Sequence, residues 1–267
     1  MKLKNITVFY FSPTGTTRRI LEAIVSGLGG QVKTLNIDIT RPEIRDSEIP
    51  FLKDDLVLIG APVYSGRLPL DAAVYFKRIK ANKIPAVLVV LYGNREYEDA
   101  LVELRDIASA AGFIPVACAA FVGEHSFSSD DFLIAQSRPD EADLRDASLF
   151  GKKIARKLDS IDSVDLIKNF DIPGNIPYRE RKLVPGLDAI EVTNECDNCG
   201  ICVTICPKEA INEADEYFTD KEKCIYCCAC IKACPTGARK LKPGALKEIA
   251  KRLSQTCKDR KNPEIFF

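Results

Sequence analysis

The chain has 267 residues, 46% of them hydrophobic, which is enough for a packed core and for one or two domains. Its 38 Lys and Arg residues balance 38 Asp and Glu residues, so the overall charge gives no reason to expect nucleic acid or a membrane surface as a partner. The N-terminal apolar run is too short for a signal peptide, and no stretch is long enough for membrane insertion.

A strand predicted at residues 6–11 leads directly into a hydroxyl-rich loop and then a helix. The strand is short, β-branched and aromatic, and apolar residues then recur at helical spacing up to Leu28. A helix N-terminus offers unpaired N–H groups and a positive dipole end, which suit a phosphate; an ordinary helix cap is the alternative. No Walker lysine and no G-x-G-x-x-G is present, so neither an ATP nor a dinucleotide site is predicted. The candidate phosphate-binding residues are Ser12, Thr14, Gly15, Thr16 and Thr17.

Strands and helices then alternate along the chain. Apolar patterning predicts further strands at residues 32–37, 54–60, 85–92 and 113–122. It predicts the intervening helices at residues 70–79, 100–111 and 141–158. This order indicates an α/β domain built on a doubly wound, five-stranded parallel sheet. Ligands of such sheets bind outside the carboxyl ends of the strands.

Two more loops leave those carboxyl ends, at residues 60–69 and 92–99, and each brings a tyrosine and a glycine. With the loop at residues 12–17, they resemble flavodoxins over about residues 1–160. The resemblance implies an FMN whose phosphate lies in the first loop and whose ring lies between the other two. One wall of the ring site would be Pro62, Val63, Tyr64, Ser65 and Gly66, and the other Tyr92, Gly93, Asn94 and Tyr97. Unlike many flavodoxins, the chain has no tryptophan.

Three charged or titratable residues near these loops have two open interpretations each. Arg67 and Arg95 either favour an anionic flavin or an anionic substrate, or they form surface salt bridges. His125 is the single histidine; it is either a proton donor with a pKa near neutrality or a hydrogen-bonded loop residue.

The segment 171–187 contains three prolines and two glycines without periodicity, which is typical of a stiff linker. We therefore predict four parts. Residues 1–165 form the flavodoxin-like domain, residues 166–187 the linker, residues 188–240 a second domain, and residues 241–267 a C-terminal helix and tail, with the helix at 241–258.

The second domain contains two identical cysteine runs, C-x2-C-x2-C-x3-C-P, placed 28 residues apart. This spacing is typical of two [4Fe–4S] clusters in which the fourth cysteine of each run binds the other cluster. Structural zinc uses separated ligand pairs, and disulfides need an oxidising compartment. Cluster cysteines need a reducing one, so we expect a cytoplasmic protein. One predicted ligand set is Cys196, Cys199, Cys202 and Cys234, and the other is Cys224, Cys227, Cys230 and Cys206.

The cysteine segment resembles bacterial-type two-cluster ferredoxins, which are small α+β domains, over residues 189–240. The additional Cys228 is either a small buried residue or a stand-in ligand. The whole chain resembles flavodoxin–ferredoxin fusion proteins of anaerobic bacteria and archaea, sometimes called electron-flow ferredoxins. That resemblance implies electron transfer between two clusters and an FMN, on behalf of redox partner proteins. The alternative is an FMN-dependent reductase of a small acceptor, such as a quinone, a nitro compound or an enone.

Overall fold

A computed structural model describes residues 3–30, 32–50, 52–167, 170–181, 186–214 and 217–267. Within these ranges the strands are β1 (Asn5–Tyr10), β2 (Lys33–Asp38), β3 (Leu56–Pro62), β4 (Ile84–Tyr92), β5 (Phe113–Val122), β6 (Ile190–Val192), β7 (Ile211–Asn212), β8 (Phe218–Thr219), β9 (Arg239–Leu241) and β10 (Glu264–Phe266). The α-helices are α1 (Thr16–Leu28), α2 (Pro42–Asp46), α3 (Leu70–Arg78), α4 (Ala100–Ala110), α5 (Glu141–Asp159), α6 (Ile201–Ile205), α7 (Ala229–Lys232) and α8 (Ala245–Thr256). None of the helices in these ranges combines the length and apolar character that crossing a membrane requires.

The large sheet has the strand order β2-β1-β3-β4-β5-β10. Strands β1 to β5 are parallel, and their order is that of the flavodoxin-like doubly wound fold. The predicted five-stranded parallel sheet is thereby confirmed. The sixth strand, β10, was not predicted; it runs antiparallel to β5 and pairs Glu264 with Ala120 and Phe266 with Cys118.

Helices cover both faces of this sheet, so its central strands are buried on both sides. All nine residues of β4 are buried, which explains its continuous apolar sequence. Helices α1 and α5 pack on one face, and α3 and α4 pack on the other. Where α1 and α5 cross, a Cβ on Gly151 would lie only 2.1 Å from the carbonyl oxygen of Ile24, so this approach requires glycine.

The second domain is small and has little apolar core of its own. Its strands form two short antiparallel pairs, β6 with β9 and β7 with β8. Each cysteine run contributes one short helix, α6 or α7. The small α+β architecture is confirmed.

The linker segment lies along the first domain and is held by an acidic residue at the start of α4. Asp99 is fully buried. One of its carboxylate oxygens accepts from the backbone and side-chain N–H groups of Asn175, at 2.8 and 3.0 Å, and the other accepts from the backbone N–H of Arg179, at 2.7 Å. Residues 168–169 and 182–185 of the predicted linker lie outside the described residues.

Glu103, a second acidic residue of α4, holds the linker and the loop after β3 through ion pairs. Its side chain accepts from Arg67 Nε at 2.8 Å, from Arg67 Nη2 at 2.9 Å and from the backbone N–H of Leu68 at 3.0 Å. It also pairs with Arg181 from the linker. Glu103 is only 3% exposed, so this ion cluster joins the loop after β3, helix α4 and the linker in a site that water hardly reaches.

We predict that Glu103→Gln destabilises the fold strongly. The change leaves two partly buried guanidinium groups without a full counter-charge, so the free energy of unfolding should fall by about 3 kcal/mol. Denaturant unfolding of the whole chain measures this. The matched control is Glu141→Gln, because Glu141 is 95% exposed and lies 3.9 Å from Arg145; its effect should stay below about 0.5 kcal/mol. Equal losses in the two variants would contradict the prediction.

Candidate functional site

The two cysteine runs enclose two cavities, which we call the outer and the inner cavity, and cysteines from both runs line each of them. The outer cavity is lined by Cys196, Cys199, Cys202 and Cys234. The inner cavity is lined by Cys206, Cys224, Cys227 and Cys230, and also by Cys228. The structure thus places each fourth cysteine beside the three close cysteines of the other run, as the crossed pattern requires.

The lining of the two cavities fits the donor set of an iron–sulfur cluster. Both cavities are lined mainly by thiols and apolar groups, which is the donor chemistry of iron–sulfur sites. Burial raises the pKa of Cys227 and of Cys230, the latter to about 11. These thiols therefore need a bound cation to ionise at neutral pH.

Cys228 occupies a special backbone position. It begins α7 with φ 57°, and Gly200, its counterpart 28 residues earlier, begins α6 with φ 73°. The left-handed conformation suits glycine and is strained for cysteine. Cys228 is buried, and its Sγ lies 3.5 Å from the carbonyl oxygen of Tyr226. Its burial agrees with the interpretation of Cys228 as a small buried residue, and its place in the lining of the inner cavity agrees with that of a stand-in ligand.

The hydroxyl-rich loop forms the entry to α1. Gly15 precedes the helix with φ 77° and has no side chain to cap it. Ser12 Oγ accepts from the backbone N–H of Arg18 at 3.1 Å, and Thr14 Oγ1 lies 3.5 Å from Thr16 Oγ1. Thr17 Oγ1 is buried and has no hydrogen-bond partner. A phosphate at the N-terminus of α1 would supply the acceptor that this hydroxyl lacks, so the residues present fit the phosphate of an FMN.

The other predicted loops meet this one at the carboxyl edge of the sheet. The backbone N–H of Val63 donates to Leu91 at 2.7 Å, and that of Gly123 donates to Tyr92 at 3.0 Å. A Cβ on Gly123 would lie 3.3 Å from Cβ of Thr16. The loops that follow β1, β3, β4 and β5 therefore share one site, as the switch-point rule predicts.

The first predicted ring wall, residues 62–66, is a tight turn. Tyr64 and Arg67 exchange backbone hydrogen bonds of 2.9 and 3.2 Å, across Ser65 with φ 52° and Gly66 with φ 78°. Pro62, Val63 and Tyr64 are half-buried. Burial, and then the neighbouring Cys227 and Cys228, raise the pKa of the Tyr64 hydroxyl well above its ordinary value. This wall therefore lies beside the inner cavity.

The second predicted ring wall is covered by the C-terminal tail, residues 257–267. Asn94 Nδ2 donates to the carbonyl oxygens of Cys257 and Asp259, at 2.9 and 2.8 Å. The Tyr97 hydroxyl donates to Glu264 at 2.7 Å. Tyr92 is buried next to Tyr97, with ring centroids 5.5 Å apart. The functional groups of Asn94 and Tyr97 thus contact the tail, a relation that no local signal in the sequence indicated.

The two arginines are both in salt bridges. Arg67 pairs with Glu103, and Arg95 pairs with Glu98 through two contacts of 2.9 and 2.8 Å. The Arg67 pair is buried instead of lying at the surface. Neither guanidinium is without a protein counter-charge.

His125 packs directly on the second ring wall. The imidazole lies so close to Gly93 that a Cβ added to this glycine would be only 2.2 Å from His125 Cδ2. His125 Nδ1 accepts a hydrogen bond from the backbone N–H of Phe127 at 3.0 Å. Burial first, and then the charges of Lys232 and Arg95, lower the pKa of His125 to about 4. The desolvated ring beside two cations and its hydrogen bond from Phe127 agree with the interpretation of His125 as a hydrogen-bonded loop residue.

Comparison with known proteins identifies the cysteine region. A family model for a 4Fe-4S binding domain matches residues 189–212 and 217–240. Ferredoxin Fdx2 of Sorangium cellulosum is 44% identical over 54 residues, which are 18% of this chain and 54% of that protein. NADH-quinone oxidoreductase subunit I 2 of Geobacter metallireducens is 30% identical over 88 residues, 26% of this chain and 67% of that protein. The chain thus spans about half of the first relative.

Solved structures resemble the first domain at low identity. A flavodoxin from the domain Archaea covers 58% of this chain and 99% of its own, with 14% identity and a TM-score of 0.39. A short-chain flavodoxin associated with a bacterial microcompartment covers 58% and 98%, with 18% identity and a TM-score of 0.42. The assignment of the fold rests on the strand order of the sheet.

We predict that acid destabilises the protein through His125. The folded pKa, about 4, lies below the ordinary value of 6.5. The unfolded chain therefore binds the proton first, and the stability contributed by the neutral ring is complete above pH 6.5 and lost as the pH falls towards 4. Between pH 7 and pH 5 the wild type should lose about 2 kcal/mol more than His125→Gln. Unfolding at the two pH values measures this, and parallel losses would contradict it.

Proposed function

We propose that this chain, which joins a flavodoxin-like domain to a 4Fe-4S ferredoxin domain, passes electrons between two [4Fe–4S] clusters and an FMN. The observation that carries the proposal is the contact of the inner cavity with the first domain. Lys208, which lines this cavity, pairs with Asp71, and Ile225, which also lines it, packs against the core of the first domain. The residues of the two cavities would each hold one cluster, and the loop at Ser12 to Thr17 would hold the FMN phosphate. A cluster exchanges single electrons, whereas FMN exchanges one or two.

Contacts between the two domains support an order for the three cofactors. Around the inner cavity, Lys208 pairs with Asp71 at 2.8 Å, and Arg45 donates to the carbonyl oxygen of Pro207 at 2.5 Å. Lys232 pairs with Glu124 at 2.5 Å. Ile225, between two of the cavity cysteines, packs against the apolar core of the first domain. The cluster of the inner cavity would therefore be the one next to the flavin.

The outer cavity lies at the opposite end of this route. Its Cys199 is exposed, and the neighbouring Ile201 is 41% exposed. Electrons would enter or leave the chain here, on contact with a redox partner protein, and would pass through the inner cluster to or from the flavin. Tyr64 would lie between the inner cluster and the ring.

The reductase alternative has less support than electron transfer between proteins. It needs a proton donor and a site for an acceptor, and the sequence offered His125 and Arg67 for these tasks. His125 holds no extra proton at neutral pH, since its pKa is about 4. Arg67 is already paired with Glu103. We therefore favour the carrier.

Two adjacent cysteines test the cluster assignment. Cys227 and Cys228 are both buried, at 8% and 2% exposure, but only Cys227 lies in a predicted ligand set. Anaerobically reconstituted wild type should contain about eight irons and one FMN per chain. Cys227→Ala should lose about half of the iron, whereas Cys228→Ala should keep all of it. Iron and sulfide assays measure this; tightly bound zinc, or equal losses in both variants, would refute the cluster assignment.

The buried hydroxyl of Thr17 tests the flavin site. Because Thr17 Oγ1 has no partner in the protein, Thr17→Val should leave the apoprotein at least as stable as the wild type. If the hydroxyl binds the FMN phosphate, the same variant should bind FMN about tenfold more weakly. Fluorescence titration measures this, and riboflavin, which has no phosphate, is the matched ligand. Equal weakening for both ligands would place the phosphate elsewhere.

A further inference from the structure

Arg239 is a buried arginine between the two cavities. It lies five positions after the last cysteine of the second run. It is the first residue of β9, where its backbone pairs with that of Val192 in β6. Only 2% of the residue is exposed. The short strand therefore carries a charged side chain into the interior of the second domain.

The guanidinium contacts residues that line both cavities. Nη1 donates to Cys202 Sγ of the outer cavity at 3.6 Å, and to the carbonyl oxygen of Tyr217 at 3.1 Å. Nη2 donates to Thr219 Oγ1, while Nε has no partner. On the inner side, Thr219, which accepts from Nη2, lines the inner cavity.

The charge of Arg239 has no acidic partner among the residues that the structure describes. Two other arginines away from full solvent differ, since the buried Arg138 pairs with Asp143 and the partly buried Arg67 pairs with Glu103. A buried cation without a counter-charge is costly. A [4Fe–4S] cluster with four thiolate ligands is net negative, so two such clusters on either side of Arg239 would supply the missing charge.

We propose that Arg239 is the shared counter-ion of the two clusters and raises the reduction potential of both. Each one-electron reduction adds one negative charge to a cluster and transfers no proton to the arginine. In an interior of low dielectric constant, a fixed positive charge stabilises that reduced state more than a surface charge does. The proposal rests on the two proposed clusters but not on the FMN.

The test is an anaerobic redox titration of the full chain, followed by the EPR signal of the reduced clusters. Arg239→Gln removes the charge and keeps much of the length. We expect the equilibrium constant for reduction to fall at least tenfold for both clusters, which is about 59 mV for one electron. The matched control is Lys240→Gln, which removes an exposed positive charge one residue away. It should leave both potentials nearly unchanged, because water and salt screen that charge.

Arg239→Lys separates charge from shape. A lysine keeps the positive charge but loses the planar fork, so its potentials should lie closer to the wild type than those of Arg239→Gln. If Arg239→Gln assembles no clusters and Arg239→Lys does, the requirement for charge is supported. Full iron content with unchanged potentials in Arg239→Gln would overturn the proposal. Failure of both variants to assemble clusters would also overturn it, because Arg239 would then be required for packing. A wild type without iron–sulfur clusters would instead refute the proposed function.

Discussion

The buried carboxylates at the start of α4 are the constraint on which the arrangement of the two domains depends. Asp99 receives three N–H groups from the linker. Burial opposes its ionisation, but the hydrogen bonds from Arg179 and Asn175 outweigh that effect and lower its pKa. Glu103, one turn later, binds arginines from the ring loop and from the linker. Two side chains on one helix therefore fix both the loop at the candidate site and the path of the chain to the second domain.

This constraint acts together with two others. The inner cavity is held against the first domain by ion pairs and by the packing of Ile225. The tail then returns to the first domain, where Arg260 pairs with Asp140 at 2.6 Å and Lys261 pairs with Glu96 at 2.5 Å. The second domain has few buried apolar residues, so its orientation depends mainly on charged and polar contacts that are fixed at both of its ends.

Local patterns in the sequence were sufficient for the fold and for the cysteine sets. Strand and helix periodicity located the longer elements of the first domain to within one or two residues, because those segments are amphipathic or fully apolar. The five-residue helix α2 was not predicted. Identical spacing revealed the duplicated cysteine run, because three of the four ligands of each cluster lie close together in the chain.

Features that depend on distant partners left no such signal. Strand β10 has three residues, too few for a pattern, and its existence depends on the edge of β5. The contact between Asn94 and the carbonyl oxygen of Cys257 joins residues 163 positions apart. The burial of Arg239 is equally invisible, since arginine at the start of a short strand is usually exposed. The low pKa of His125 depends first on the burial of its ring and then on the charge of Lys232, which comes from the other domain.

The short antiparallel pairing of β10 with β5 has a further consequence for how the two redox modules meet. Because the chain leaves the sheet after α5 and rejoins it at β10, the second domain is inserted in the first instead of being attached by one end. A domain that is connected at both ends samples a much smaller volume than one connected at a single end. Its effective concentration at the edge of the sheet is therefore higher. Encounter between the inner cavity and the sheet loops is then set by chain connectivity and does not vary with protein concentration. A nick in the linker would leave the two pieces held together through the sheet.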